Sequence, residues 1–345
     1  MDIFLNIFFF LLGLALLIFG ANYFVKGGSA LAKKLRIPSF VIGLTIVAIG
    51  TSLPELAISI ASSIKNSADL SVGNIVGSNL FNILFIAGIV ALISPIKIKK
   101  STKNIDLPIL CIVSVLLLLF SADFFVEGGS LNIISRSESI VLLILMIAYL
   151  TMSIIVARNK AKHNQMQHEL HVSSEPVENQ ESSSPPKKRS KKELKTWQMV
   201  VFLILGLATV AFGGECVSTT AKFLALRAGM SETLVGLTVV AFLTNAPELV
   251  TSIIAAKTGE KDMALGNLIG SNILNIILIL AVGGVIAPIV VSSEILIDML
   301  ILFVATIIFS VLCFLRSELG RADGIILLVV FALYLVFVIV RNFCF

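Results

Sequence analysis

The sequence predicts an all-α polytopic membrane protein of ten transmembrane helices, built as two inverted-topology five-helix repeats. Three observations carry this: a composition too apolar for a water-soluble fold, a forty-residue stretch that recurs 193 positions later, and a lopsided distribution of Lys and Arg between alternate loops. Of 345 residues, 57% are hydrophobic and 14% charged, whereas about a quarter of a soluble domain is charged. Lipid offers the backbone no hydrogen-bond partners, so each crossing must be a helix of about 20 mostly apolar residues.

Ten such stretches centre on residues 4–24, 39–64, 69–95, 105–122, 138–157, 197–217, 231–256, 262–288, 294–315 and 322–341. The first has no basic run before it and no small-residue cleavage site after it, so it reads as a span and not as a removable leader. With ten spans the loops alternate sides, and 21 of the 26 basic residues fall on one side. The other side holds Lys65, Arg136, Lys222, Arg227 and Arg341. Short cytoplasmic loops carry the excess of Lys and Arg. Both termini are therefore expected on the outer face of an inner (plasma) membrane. The net charge of +5 is then a topology signal, and no nucleic-acid partner is expected.

Residues 158–196 are rich in Ser, Pro, Lys and Glu and cannot bury enough apolar area to fold alone. They are expected to form a disordered cytoplasmic linker between an N-terminal repeat, 1–157, and a C-terminal repeat, 197–345. His163, His168 and His171 within it read as solvated, and its KKRSKK run as lying at the anionic inner leaflet. Cys111, Cys216, Cys313 and Cys344 have no paired spacing, which suits buried thiols better than disulfides or a metal cluster.

The internal repeat locates function. Residues 43–82 align without a gap to 236–275, and 18 of 40 positions are identical. The shared positions include polar and helix-breaking ones: Thr51/Thr244, Pro54/Pro247, Glu55/Glu248, Asn74/Asn267, Ser78/Ser271, Asn79/Asn272 and Asn82/Asn275. Five spans separate the copies, so the second enters the bilayer with opposite polarity. Inverted repeats build substrate sites at the midplane from interrupted helices, and alternating access follows from moving one bundle about the site. Pro54 and Pro247 remove an N–H and break their helices. Gly73, Gly77, Gly266 and Gly270 are small residues four apart, a pattern that lets helices approach closely.

Glu55 and Glu248 lie deep inside their spans. A charge there costs several kcal/mol unless paired, protonated or bound to a cation. Around them the repeats supply hard oxygen donors: Thr51, Ser52, Ser78 and Asn82 from one copy, and Thr244, Asn245, Ser271 and Asn275 from the other. Calcium accepts six to eight oxygens, whereas zinc prefers nitrogen or sulfur. Two glutamates make a site of charge −2, which one Ca²⁺, two Na⁺ or two protons neutralise. Competition among these fillings is a basis for exchange.

GTSLPE followed by GNIVGSNLFN, repeated as TNAPE followed by GNLIGSNILN, resembles the two alpha-repeats of the calcium/cation antiporter superfamily, in particular the prokaryotic sodium/calcium exchangers. The resemblance implies Glu55 and Glu248 as shared ion-binding carboxylates, the eight hydroxyl and amide residues around them, and backbone carbonyls of Ala48 and Ala241 completing the set. It implies secondary antiport of Ca²⁺ for Na⁺, with proton-coupled Ca²⁺ antiport as the alternative, and no cofactor or obligate protein partner. The second copy departs from the family pattern at Leu243 and Asn245. Asn275 stands where potassium-dependent members carry Asp, which argues against potassium co-transport. A channel would not need inverted repeats with broken helices. An enzyme such as an intramembrane hydrolase would need a catalytic frame, and neither HExxH nor GxSxG occurs.

Overall fold

The computed structural model describes residues 3–65, 68–122, 132–174, 194–229 and 241–344. Among these, eight helices are long and apolar enough to cross a bilayer: Ile3–Leu35, Ser71–Ile93, Thr102–Phe120, Arg136–Val156, Thr196–Arg227, Lys261–Ile286, Ser293–Leu315 and Arg321–Arg341. They are the first, third, fourth, fifth, sixth, eighth, ninth and tenth predicted spans. The second is a helix pair, Ser39–Thr51 and Leu53–Ile64, bent by 46° at Ser52. Helices Ala241–Thr244 and Ala246–Lys257 form the described part of the seventh, whose predicted start at 231–240 lies outside the described residues.

One boundary differs from expectation. The fifth helix does not stop at 157 but continues as Arg136–Ser174, so the first part of the segment expected to be disordered is helical. Its sequence, RNKAKHNQMQHELHVSS, is rich in straight-chain residues and Ala, which lose little side-chain freedom in a helix. The rest of that segment up to 193 lies outside the described residues.

Two short antiparallel strand pairs check the topology. Strand β1 (Ile96–Lys97), after the third span, pairs with β4 (Glu318–Leu319), after the ninth. Strand β2 (Asn132–Ile134), after the fourth span, pairs with β3 (Ile289–Val291), after the eighth. Each pair joins loops that the ten-span count places on one side of the membrane, and each ties one half of the chain to the other. Ion pairs obey the same sidedness: Lys99 to Asp262 on the β1 side, and bidentate Arg341 to Asp298 at 3.0 and 2.9 Å on the β2 side.

The third and eighth spans form the centre. In each, 78% of the most apolar window is buried, against at most 33% in the other six long helices. Around them the first, fourth, fifth, sixth, ninth and tenth spans present exposed Phe, Leu, Ile and Val to the surroundings, among them Phe4, Ile144, Ile204, Leu300 and Leu333. Such a continuous apolar exterior belongs in lipid.

The first and sixth spans lie antiparallel along a glycine seam. A Cβ on Gly20 would sit 2.9 Å from Val210 N and 3.0 Å from Gly206 O, and one on Gly213 would sit 2.8 Å from Leu17 N. Gly13 and Gly27 face the same partner helix. With lipid as solvent, close backbone approach through small residues replaces the hydrophobic effect as the packing force. A Cβ on Gly206 would meet Phe24 N at 2.6 Å, and backbone cannot yield as a flexible side chain can. Gly206→Leu is therefore expected to lower the thermal unfolding midpoint in detergent by about 5 °C, from an overpacking cost of about 1–3 kcal/mol. Gly320→Ala, whose nearest neighbour is the Asp323 carboxylate at 3.6 Å, is expected to leave that midpoint within error.

Candidate ion-binding site

Both broken spans break in the same way. Ser52 (φ −87°, ψ 10°) and Asn245 (φ −88°, ψ 9°) leave the helical path at symmetry-related positions. Pro54 and Pro247 then lie in the first turn of the following helices. There the missing N–H falls among donors that have no intrahelical acceptor anyway. The prolines thus start new helices at the break. Glu55 and Glu248 occupy the same first turns, where the helix dipole favours a carboxylate.

Two further features widen the helices beside the glutamates. The third span passes through a π-helical segment, Phe81–Ile86, and the eighth through Asn275–Leu280. Asn82 and Asn275 therefore sit in the first turns of matching wide segments. A third, Gly43–Val47, immediately precedes Ala48. Such π segments cluster at functional sites because they re-aim side chains and carbonyls. Their hydrophobic sequence gives no sign of them.

The predicted residues come together. Ala48, Thr51, Ser52, Glu55, Ser78, Asn82, Asn245, Glu248, Ser271 and Asn275 are all buried, and Thr244 is half-buried. The halves are stitched across the site: Ser52 Oγ donates to Glu248 Oε1 at 3.3 Å, and Thr51 Oγ1 to Asn267 Oδ1 at 3.3 Å. Asn245 Nδ2 donates to Thr244 Oγ1 at 3.4 Å. The carbonyl of Ala48 accepts the Ser52 N–H at 3.1 Å and the Thr51 hydroxyl at 3.4 Å. Ala241 opens the described part of the seventh span.

Several buried oxygens make no hydrogen bond to another residue: both of Glu55, Oε2 of Glu248, Oγ of Ser78 and Ser271, and Oδ1 of Asn82 and Asn275. Among the described residues no Lys or Arg is buried, and no three His, Cys, Asp or Glu side chains cluster. Buried oxygens without donors, next to two carboxylates without a basic partner, form a set suited to a hard cation.

Sequence reasoning did not assign roles to Asn79, Asn267 and Ser252. Asn267 accepts from Thr51 and donates to Ser252 Oγ at 3.0 Å. Asn79 accepts from Asn275 Nδ2 at 2.9 Å. All three are identical between the repeats, and that was the available signal.

Gly266 and Gly270 pack so closely that a Cβ on either would run into the carbonyl of Phe40 or Leu44. Of their mates, Gly73 is exposed, and a Cβ on Gly77 would meet nothing within 4 Å among the described residues. The expected close packing of glycines is therefore realised at Gly266 and Gly270, while residues 231–240, the mates of the segment they pack against, lie outside the described residues.

The family model for the sodium/calcium exchanger protein matches residues 5–155 and 198–340, two blocks that coincide with the two halves. The chain is 35% identical over 330 residues to the putative antiporter CaxA of Alkalimonas amylolytica, covering 94% of this chain and 96% of that one. It is 32% identical over 358 residues to the sodium/calcium exchanger MaX1 of Methanosarcina acetivorans, covering 96% and 97%. Its fold superposes on the sodium-calcium exchanger NCX_Mj with a TM-score of 0.77 at 30% identity, covering 96% and 98%. Matched in sequence along both repeats and in fold over nearly its whole length, the chain belongs to the sodium/calcium exchanger protein family.

Proposed function

We propose that this protein is a secondary antiporter that exchanges Ca²⁺ for Na⁺ at a single midplane site shared by its two halves. The observation that carries the reading is the pair Glu55 and Glu248. They are symmetry-related, buried and without a basic partner among the described residues, and hydroxyl and amide oxygens free of donors surround them. Glu55 and Glu248 supply the charge, while Thr51, Ser52, Ser78, Asn82, Thr244, Asn245, Ser271 and Asn275 supply neutral oxygens, and the carbonyls of Ala48 and Ala241 close the set. Six to eight oxygens at 2.3–2.6 Å suit Ca²⁺.

The charge explains the coupling. An empty site of charge −2 in a low-dielectric interior resists passage through a closed state, whereas a site filled by Ca²⁺ or by Na⁺ passes. The end packed by Gly266 and Gly270 follows the basic residues Lys33, Lys34 and Arg36 in the chain, and on the excess of basic residues along that side we read it as the cytoplasmic gate. Exchanging the packing of the two repeats would then close the outer end and open the inner one.

In proteoliposomes loaded with Na⁺, ⁴⁵Ca²⁺ uptake is expected to require internal Na⁺. Glu55→Gln and Glu248→Gln are each expected to lower it by on the order of a hundredfold, the scale for removing a buried charged partner. Uptake driven only by a pH gradient would replace Na⁺ with protons in this reading, and wild-type transport in either variant would refute the shared site. Orientation is tested separately in a chain whose four cysteines are replaced. A membrane-impermeant maleimide is expected to label Lys65→Cys in intact cells and Lys100→Cys only in inverted vesicles.

A further inference from the structure

The helix that carries Glu55 is keyed into the other half of the chain one turn beyond the glutamate. Glu55, Ser59 and Ser63 are spaced four apart on one face of Leu53–Ile64, and all three are buried. Ser59 Oγ donates to the backbone carbonyl of Ile279 in the eighth span at 3.2 Å, and it accepts from Ser71 Oγ of the third span at 2.6 Å. Ser71 gives its one proton to Ser59, so the proton of Ser59 is left for the carbonyl. The key lies over Gly283. A Cβ there would stand 2.6 Å from Ser59 Oγ and 3.0 Å from Ser63 Oγ, so any larger residue would take the space that the hydroxyls fill.

Ile279 belongs to the π segment Asn275–Leu280, which opens with a candidate ligand. π geometry is rare, so a segment that adopts it needs support from its surroundings. The two halves give that support by different means. In the third span, Phe81–Ile86 is packed by rings: Phe81 and Phe85 lie 4.8 Å apart between centroids, and they meet Phe331 of the tenth span at 5.7 and 5.2 Å. The mates of Phe81 and Phe85 are Leu274 and Leu278, so the eighth span has no rings at these places. It has the Ser59 hydroxyl instead. Conversely, the mate of Gly283 is Val90, and the mate of Ser59 is Ser252, whose hydroxyl accepts from Asn267 Nδ2 at 3.0 Å. The hydroxyl key is thus written into one half of the sequence and the ring packing into the other.

We infer that Ser59 is a positioning residue for the ion site: its hydroxyl, seated over Gly283, holds Asn275–Leu280 in π geometry and so fixes where Asn275 points relative to Glu55. Glu55 lies four residues before Ser59, and Asn275 four residues before Ile279, so one bond joins the two ligand-bearing helices a single turn away from both ligands. A side chain inserted into a helical ladder is a recognised cause of local distortion. Without it the segment can rewind toward α geometry, which turns the Asn275 side chain about the helix axis. The inference rests on the shared-site reading for the ion, while the contact itself is tested without one.

The test uses full-length protein in detergent and begins with the thermal midpoint in buffer free of Ca²⁺ and Na⁺. Gly283→Ala is expected to lower the midpoint by pressing a methyl onto the Ser59 hydroxyl, and to cost less in a Ser59→Ala chain, where the methyl takes the vacated space. Equilibrium binding of ⁴⁵Ca²⁺ is then measured on the same chains. Ser59→Ala is expected to raise the Kd about fivefold, the weight of one buried hydrogen bond. The double variant is expected to regain midpoint relative to Gly283→Ala without regaining affinity, whereas a role in packing alone would restore both. Ser63→Ala removes a buried hydroxyl over the same glycine that has no partner, and is expected to keep the Kd within about twofold of the parent. Ser59→Cys, close in shape and a weaker donor, is expected to fall between parent and alanine and carries the test should Ser59→Ala fail to fold. Additive midpoint changes overturn the contact. An unchanged Kd in Ser59→Ala, or one restored together with the midpoint in the double variant, overturns the positioning role. A parent that binds no Ca²⁺ refutes the shared-site reading, and the midpoints still decide the contact by themselves.

Discussion

Two carboxylates buried in a membrane protein, with no buried basic side chain among the described residues, set the terms for the rest of this structure. Glu55 and Glu248 are both shut away from water, and lipid gives neither any relief. Burying a carboxylate without a counter-charge is tolerable only where surrounding dipoles are aimed at a cation that comes and goes. The broken second and seventh spans, the first-turn prolines and the π segments at Asn82 and Asn275 all answer that requirement. Each takes backbone out of regular α-helical bonding beside or next to residues of the candidate site. The third and eighth spans are the most buried helices because they close the volume around this charge.

Much of this was legible in the sequence for physical reasons. Hydropathy counts spans because lipid enforces helices, and the recurrence of Thr, Pro, Glu, Ser and Asn at one offset survives because no packing argument substitutes for those residues. All of the predicted residues with described side chains are buried or half-buried. What stayed hidden was geometry that leaves no compositional trace. Nothing in FNILFI or NIILIL distinguishes a π segment from an ordinary apolar helix. The glycine seam between the first and sixth spans was present as Gly13, Gly20, Gly27, Gly206 and Gly213, yet glycines are common in membrane helices and their partner helix is not written in the local sequence. The helical run to Ser174 was obscured because polarity was taken as disorder.

Asymmetry was hidden for a deeper reason. Two related sequence motifs sit in different surroundings, with Gly266 against backbone and Gly73 exposed. A repeat pattern alone does not say which copy packs which way, so the difference had to be read from the structure.

The seam and the strand pairs carry a consequence about origin. Gly13 faces Gly213 and Gly20 faces Gly206, and these contacts are mates under the repeat offset: residue i touches j, and the counterpart of j touches the counterpart of i. Strand β1 with β4 and β2 with β3 likewise cross from one half to the other. Reciprocal contact of this kind is the signature of an isologous interface between identical subunits. The two halves of the covalent chain thus meet as the protomers of an antiparallel homodimer would. One chain that carries both halves need not insert either of them in two ways, so Lys and Arg can favour opposite ends of the two halves.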